Sequence, residues 1–334
     1  MLDKIYPIAV IGGGAAGVMA VIRTVLNFDE TIFFPGSPKH KKKSRAFWVA
    51  KVENIPGHLQ YKKGIMEPNT ENLKWLSQNH FKEKLHWMKS RGVSKLEKNG
   101  QGLFIIEDSK GDSYLAKDVI LCTGVMDTQP IINESIDSIL PYANVQIVDY
   151  CIRCDGHHVI NQEVTIIGHG EDAIWISFIL HERYSPKSMT ILTNGEEINL
   201  SEKEKQLCHL YNIKIITQKI IGIKGNATKE KLESYILEDK TEFKTSFSFI
   251  SLGMIVYNEL AVGLGAEVDE RGFVKTDSKG LTTVDNLYVA GDLRANTKKQ
   301  IYTSWDTAVD SADTINSKAR RERREELLKN NSRS

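Results

Sequence analysis

Ile5-Tyr6-Pro7-Ile8-Ala9-Val10-Ile11-Gly12-Gly13-Gly14-Ala15-Ala16-Gly17 is the stretch on which the fold turns. Residues 5–11 are a short apolar run with a Pro near its start, and they read as a buried strand. Gly12-x-Gly14-x-x-Gly17 follows at once, and an apolar helix is expected from Ala15 to about Phe28. A second strand is expected at Thr31–Phe34. Strand, glycine loop, helix and strand in that order make a β-α-β unit with a parallel sheet. The first glycine permits the tight turn, the second lets backbone approach a pyrophosphate, and the third lets helix and strand pack closely. A diphosphate would then sit at the positive helix N-terminus. The acid expected about 20 residues further on is absent. Phe34-Pro35-Gly36 stands in its place, so a ribose must find another partner.

A second unit of the same kind begins at Val164–Ile167 and continues through Gly168-His169-Gly170-Glu171-Asp172-Ala173. A helix over 171–183 and a strand at Met189–Leu192 complete it. The residues just past that strand choose the nucleotide, and an Arg pair would hold the 2′-phosphate of NADPH. The chain instead offers Leu192-Thr193-Asn194-Gly195-Glu196-Glu197. The two carboxylates would repel a phosphate, though they could bond the ribose diol of NADH; a fold retained without nicotinamide binding is the other reading. Glu171 and Asp172 suit the helix dipole but compete with an incoming diphosphate. If charge is the whole obstacle, replacing Asn194 and Gly195 by Arg should improve use of NADPH.

Elsewhere a helical pattern covers 70–90, ending at Gly92, and β-rich stretches cover 102–107 and 112–121, ending at Cys122-Thr123-Gly124. Strands are expected at 213–222, 232–238, 246–252 and Leu287–Ala290. Gly291-Asp292 comes next, then a helix from about Thr303 to Ala319. The charged tail, Lys318–Ser334, reads as a frayed helix end or as disordered. A strand followed by Gly-Asp thus returns after a complete second unit, so the simplest architecture is one domain split in sequence with another inserted into it. Lys39–Arg45 reads as a solvated basic loop, with a docking patch for an acidic partner as the alternative.

Between the two units stands Cys151-Ile152-Arg153-Cys154-Asp155-Gly156. The chain has four cysteines, too few for a disulfide scaffold, so the C-x-x-C pair is either redox-active or half of a metal site. A structural zinc site usually needs four ligands. His157 and His158 lie nearby, but the flanking nucleotide loops favour redox chemistry, and no metal is expected. Arg153 adds positive charge that favours thiolate, and Asp155 could move the proton as a thiol leaves or attacks. Cys122 and Cys208 read as structural. His157 and His158 read as turn or surface residues, with an acid–base role beside the dithiol as the alternative.

The 334 residues suit about two domains. Hydrophobic residues make up 41% and the formal net charge is +1, which gives no case for a nucleic-acid or anionic-membrane partner. No apolar run approaches the roughly 20 residues of a membrane span. The N-terminal segment lacks the features of a signal peptide, so a cytoplasmic location is expected.

Over residues 5–316 these segments together resemble the low-molecular-weight thioredoxin reductases. The resemblance is carried by Ile11-Gly12-Gly13-Gly14-Ala15-Ala16-Gly17, Val52-Glu53-Asn54-Ile55-Pro56-Gly57, Cys122-Thr123-Gly124, Cys151-x-x-Cys154-Asp155-Gly156 and Gly168-x-Gly170. Ser251-Leu252-Gly253 and Ala290-Gly291-Asp292, with Gln300-Ile301 beyond, continue it. It implies an α/β fold of two Rossmann-like, three-layer nucleotide-binding domains, one inserted into the other: a split FAD domain, 1–127 and 253–334, around an NAD(P)-type domain, 128–252, that carries the dithiol. It also implies FAD contacts from Gly12, Gly14, Ala15, Gly17, Asn54, Gly124, Gly291, Asp292, Gln300 and Ile301, and a second nucleotide site at Gly168, Gly170 and Asn194. Cys154 would face the flavin, Cys151 would exchange with thioredoxin or a similar disulfide, and Asp155 would be the acid–base residue. The family forms homodimers. Three departures stand out. Thr193-Asn194-Gly195 replaces the family's His-Arg-Arg clamp, His157-His158 replaces its aromatic pair, and Ser44-Arg45-Ala46-Phe47 lies where a Gly-Gly-Gln-Leu type segment is expected. The electron donor therefore stays open among NADPH, NADH and a ferredoxin-like protein. A nicotinamide-independent dithiol oxidase using oxygen is the alternative.

Overall fold

A computed structural model describes residues 4–41, 44–78 and 80–331. The chain forms two compact units. One comprises residues up to Phe47, Lys63–Met126 and everything from Val256 onward; the other comprises Trp48–Lys62 and Asp127–Ile255.

The first unit is built on a seven-stranded sheet. Leu85–Trp87, Thr31–Phe34, Ile5–Ile11 and Ser113–Leu121 run parallel in that order, and Leu287–Val289 pairs parallel with the far end of Ser113–Leu121. Phe104–Asp108 and Val93–Lys98 continue the sheet antiparallel. From Ile8 to Ile11 the Ile5–Ile11 strand is buried on both faces, since successive side chains alternate and both faces are covered. Ile8 and Val10 pack with Val18, Val21 and Val25 of the Ala15–Leu26 helix, whereas Ala9 and Ile11 pack with Phe104, Ile106 and Val274 on the other side. The same helix is fastened to the final helix, Ile301–Asn331, by a bidentate bond from Arg23 to Asp313 at 2.6 and 2.9 Å.

In the second unit Ile213–Ile216, Ser188–Leu192, Glu163–Ile167, Phe247–Ile250 and Val148–Asp149 form a five-stranded parallel sheet. The Glu171–Tyr184 helix covers one face through Ala173, Ile174 and Phe178. A three-stranded antiparallel sheet, Ile220–Asn226, Lys231–Leu237 and Glu242–Lys244, is attached to it. Val125–Asp127 and Met254–Val256 pair as a two-stranded ribbon where the chain passes between the units.

Several elements differ from expectation. The helical pattern over 70–90 is a helix only at Met66–Gln78; Leu85–Trp87 is a strand. It satisfies the open edge of Thr31–Phe34, with Met88 N donating to Phe33 O at 2.9 Å. The single strand expected over 213–222 turns a corner and serves two sheets. The final helix extends past Ala319 to Asn331, with every side chain from Arg321 on exposed, because its Arg, Glu and Leu residues are good helix formers. Pro38–Lys41 and Arg45–Trp48 are single helical turns, and Lys42 and Lys43 of the basic run lie outside the described residues. Trp48–Lys62, expected with the first unit, packs with the second. There Lys51 N donates to Gln146 Oε1 at 2.7 Å, and Glu53 is bonded by two histidines.

Candidate active site

In the first unit three loops leave parallel strands at the same end of the sheet. Gly12–Gly14 follow Ile5–Ile11, Cys122–Gly124 follow Ser113–Leu121, and Ala290–Asp292 follow Leu287–Val289. Cross-bonds hold them in step: Cys122 N to Ile11 O at 2.7 Å, and Ala290 N to Leu121 O at 3.0 Å. The carboxyl ends of parallel strands are where such sheets bind ligands. Gly12 has φ +116°, and a Cβ there would lie 2.1 Å from Cys122 O. A Cβ on Gly17 would lie 1.8 Å from Gly12 O, so these two glycines are demanded by packing. Gly14 is different: a Cβ there would meet nothing within 4 Å. It opens the Ala15–Leu26 helix with no side-chain cap and no acid in the first turn. The helix thus starts beneath open space with its own N–H groups aimed there, which fits a diphosphate.

Gly291, at φ +75°, approaches the same helix: its Cβ would lie 2.7 Å from Ala16 Cβ. Asp292 follows, with Arg45 Nη1 and Ser304 Oγ each 3.4 Å from its carboxylate. Gln300 is buried just before the final helix, which begins at Ile301. The structure therefore brings Gly12, Gly14, Ala15, Gly17, Gly124, Gly291, Asp292, Gln300 and Ile301 into one unit. Asn54 belongs to the segment that packs with the other.

In the second unit the Val148–Asp149 strand leads directly into the dithiol. Cys151 and Cys154 are joined as a disulfide with a Cα–Cα distance of 5.4 Å, ordinary for the bond. Cys154 N and Asp155 N both donate to Cys151 O, at 3.1 and 2.9 Å, which folds the motif into one tight turn. Asp155 is buried directly after it. The other two cysteines are buried, and burial alone pushes the Cys122 thiol well up, in keeping with a structural role.

His157 and His158 are not loose surface groups. His158 Nδ1 lies 2.9 Å from Asp149 Oδ2, and Glu53 Oε2 takes both His158 Nε2 at 3.1 Å and His157 Nε2 at 2.6 Å. The Asp149 hydrogen bond, acting against burial, pushes the His158 pKa up to about 9. Burial would raise the Glu53 carboxyl, but the bonds from His158 and His157 hold it below the usual range. Sequence reasoning missed this cluster. Glu53 was visible only as part of a motif, and nothing in the sequence singled out Asp149.

The second glycine loop keeps its geometry. A Cβ on Gly168 would strike Ser251 O at 2.4 Å, whereas one on Gly170 would meet nothing. Glu171 and Asp172 are exposed in the first turn of the helix above it. Asn194 is already engaged: its Nδ2 donates to Ile131 O at 3.0 Å, and its Oδ1 accepts from Ile220 N at 2.8 Å. Gly168 and Gly170 are thus together, but the Asn194 side chain is a structural bridge at the corner leading to Ile220–Asn226.

A disulfide that cycles with its dithiol exchanges two electrons, and a bound two-electron cofactor is one partner that can supply them. The open helix start of the other unit fits that partner's diphosphate, and the class defined is an FAD-dependent disulfide oxidoreductase. Comparison with known proteins agrees: the chain belongs to the pyridine nucleotide-disulphide oxidoreductase family, whose model matches residues 6–312. It is 25% identical over 310 residues to the thioredoxin reductase of Listeria innocua, covering 90% of each chain. It is 26% identical over 310 residues to that of Mycoplasmopsis pulmonis, covering 90% of this chain and 94% of the relative. The crystal structure of thioredoxin reductase from Streptococcus pyogenes superposes with a TM-score of 0.77 at 20% identity, covering 94% and 97% of the two chains. Among the described residues no helix is long and apolar enough to cross a membrane.

Proposed function

We propose that the chain reduces the disulfide of thioredoxin or a similar small protein through its Cys151–Cys154 pair. The observation that carries this is the disulfide itself, closed in a tight turn and followed at once by the buried Asp155. FAD, when bound, supplies the two-electron exchange that regenerates the dithiol. Gly12, Gly14, Ala15, Gly17 and Gly124 would hold its diphosphate side. Gly291, Asp292, Gln300 and Ile301 would hold the rest, and Asn54 is the remaining contact that the resemblance implies.

In the dithiol half-reaction Cys151, as thiolate, attacks a substrate sulfur and forms a mixed disulfide, releasing one substrate thiol. Cys154 then attacks Cys151 Sγ, reforming the internal disulfide and releasing the second thiol. Asp155 would hold and pass the proton that each departing sulfur requires. Two electrons and two protons leave the protein per turnover. The same reading supports a homodimer and a reducing, cytoplasmic setting.

The donor is tested by anaerobic mixing of the yellow protein with NADPH and, separately, NADH, following loss of oxidised-flavin absorbance. Bleaching by either one, with thioredoxin reduction lost in Cys151→Ser, is the expected result. The committed Asn194 and the exposed Glu171 and Asp172 favour a second reading, in which Gly168 and Gly170 bind no nicotinamide. Bleaching then comes only from a ferredoxin-like donor or a small dithiol, the latter with oxygen uptake once air is readmitted. A protein that neither bleaches with any of these nor exchanges with a disulfide overturns both readings.

A further inference from the structure

Among the described residues, a group of potential metal ligands stands beside the dithiol and has no part in the proposed electron transfer. We propose that Glu53, His157 and His158 form a binding site for a divalent transition-metal cation of the zinc class, supported from behind by Asp149. The site goes beyond the electron-transfer reading and does not depend on it.

Three donor atoms converge from two distant stretches of chain. Glu53 Oε2 lies 2.6 Å from His157 Nε2 and 3.1 Å from His158 Nε2. The ligand atoms of these three residues all fall within 4.8 Å of one another. Two imidazoles and one carboxylate are the donor set of a three-ligand zinc site with an open fourth position. Mixed nitrogen and oxygen donors select the later first-row divalent ions over magnesium and calcium, which want oxygen alone. Tetrahedral zinc at its usual bond lengths holds its donors about 3.3 Å apart. Glu53 and His158 must therefore open by about 0.2 Å and Glu53 and His157 by about 0.7 Å, and Glu53 and His157 are exposed side chains with room to do so.

The second observation lies behind the ligands. His158 Nδ1 bonds to Asp149 Oδ2 at 2.9 Å, and Asp149 is only 3% exposed. A buried carboxylate holding one ring nitrogen fixes the tautomer and turns the other nitrogen outward as a donor. That is the outer-shell support seen behind metal-bound histidines. Glu53 Oε2 faces both Nε2 atoms, with the two rings 4.4 Å apart. A dication at the centre of the three atoms takes the place of the Nε2 hydrogens and is bound by all three donors. It also ties Trp48–Lys62 to the Gly156–Val159 turn, immediately after the redox pair.

The test uses the oxidised, FAD-loaded protein, in which Cys151 and Cys154 are closed as a disulfide and offer no thiolate. The protein is stripped with chelator and titrated with zinc against a chromogenic competitor, then with cobalt, whose visible spectrum reports imidazole ligation. One tight equivalent per chain is expected. Glu53→Gln and His157→Ala should each weaken it more than tenfold, and Asp149→Asn should weaken it about 10- to 100-fold. Flavin absorbance and far-ultraviolet dichroism check folding. Should the buried Asp149 variant not fold, the two exposed ones still decide. No tight equivalent, or an equal affinity in wild type, Glu53→Gln and His157→Ala, overturns the site. Because the readout needs no electron donor, failure here leaves the reductase reading standing, and failure of flavin bleaching leaves the metal site standing.

Discussion

Single residues in the first loop separate space needed for packing from space left for a ligand. A Cβ at Gly12 or Gly17 would collide with backbone, at 2.1 and 1.8 Å, so Gly12→Ala and Gly17→Ala should destabilise the protein whether or not flavin is present. Gly14→Ala adds a methyl group to open space at an ordinary φ of −79°. It should leave the stripped protein's melting temperature within about 1 °C of wild type yet weaken FAD binding at least severalfold, because the methyl group stands where the diphosphate approaches. Equal FAD affinity in that variant would remove the diphosphate from this helix start. Lys299 carries a different signal. Its Nζ donates to Arg294 O at 2.6 Å and lies 3.8 Å from the Phe273 ring centroid, and burial pushes its pKa down to about 8. The unfolded chain keeps the proton up to about pH 10.4. Below pH 8 both states are protonated and the folded state bears the full burial penalty. Between pH 8 and about 10 the unfolded state binds more protons, so stability should rise with pH, by about 1 kcal/mol once solvent screening of the partly exposed ammonium is counted. The difference in denaturation free energy between wild type and Lys299→Gln, measured from pH 7.5 to 10, should show that rise. A difference that stays flat or falls would place the ammonium in water.

At the scale of elements, the turn after Ser188–Leu192 shows why charge alone misjudges a nucleotide site. Asn194 and Gly195 both have positive φ, +57° and +92°, and a Cβ on Gly195 would press on Lys219 Cγ at 2.5 Å. Replacing both with Arg was expected to improve use of NADPH. The turn instead predicts strain at Gly195 and an unpaired buried group, Ile220 N, where the Asn194 bridge is lost; Ile131 O, on an exposed residue, turns to water. Asn194→Ala should cost about 1–3 kcal/mol, and the double Arg variant should be less stable than that and no better with NADPH. A gain in NADPH-driven bleaching without loss of stability would show that the turn remodels freely. The strand–loop–helix pieces could be read from sequence because their signals are local: apolar runs, Gly spacing and the Cys-x-x-Cys-Asp order. The Asn194 bridge, the Leu85–Trp87 edge strand and the meeting of Glu53 with His157 and His158 could not. Each depends on groups that are brought together only when the sheets form, and Glu53 lies 104 residues from His157.

At the scale of the whole molecule, the chain visits the second unit at Trp48–Lys62 and again from about residue 127 to 255, and each unit has its own sheet and its own buried core. The four clusters of buried side chains among the described residues each fall within one unit. Two of them, around Ile8 and Phe104, belong to the first; two, around Phe178 and Tyr235, belong to the second. Separate cores permit separate melting, and a ligand stabilises only the part that binds it, by an amount that grows with the logarithm of ligand over dissociation constant. Calorimetry of the flavin-loaded protein and of protein stripped of flavin should therefore differ mainly in the transition of the first unit, since only Asn54 of the second is among the proposed flavin contacts. At an FAD concentration about 100-fold above the dissociation constant, the transition of the first unit should gain about 2.7 kcal/mol. The transition of the second unit, which contains Cys151 and Cys154 and contributes only Asn54 to the proposed flavin site, should move far less. A single transition that moves as a whole with FAD would mean that the two cores unfold together despite their separate sheets. Movement of the second transition alone would put the flavin on the Gly168–Ala173 loop and reverse the assignment of the two nucleotide-type units.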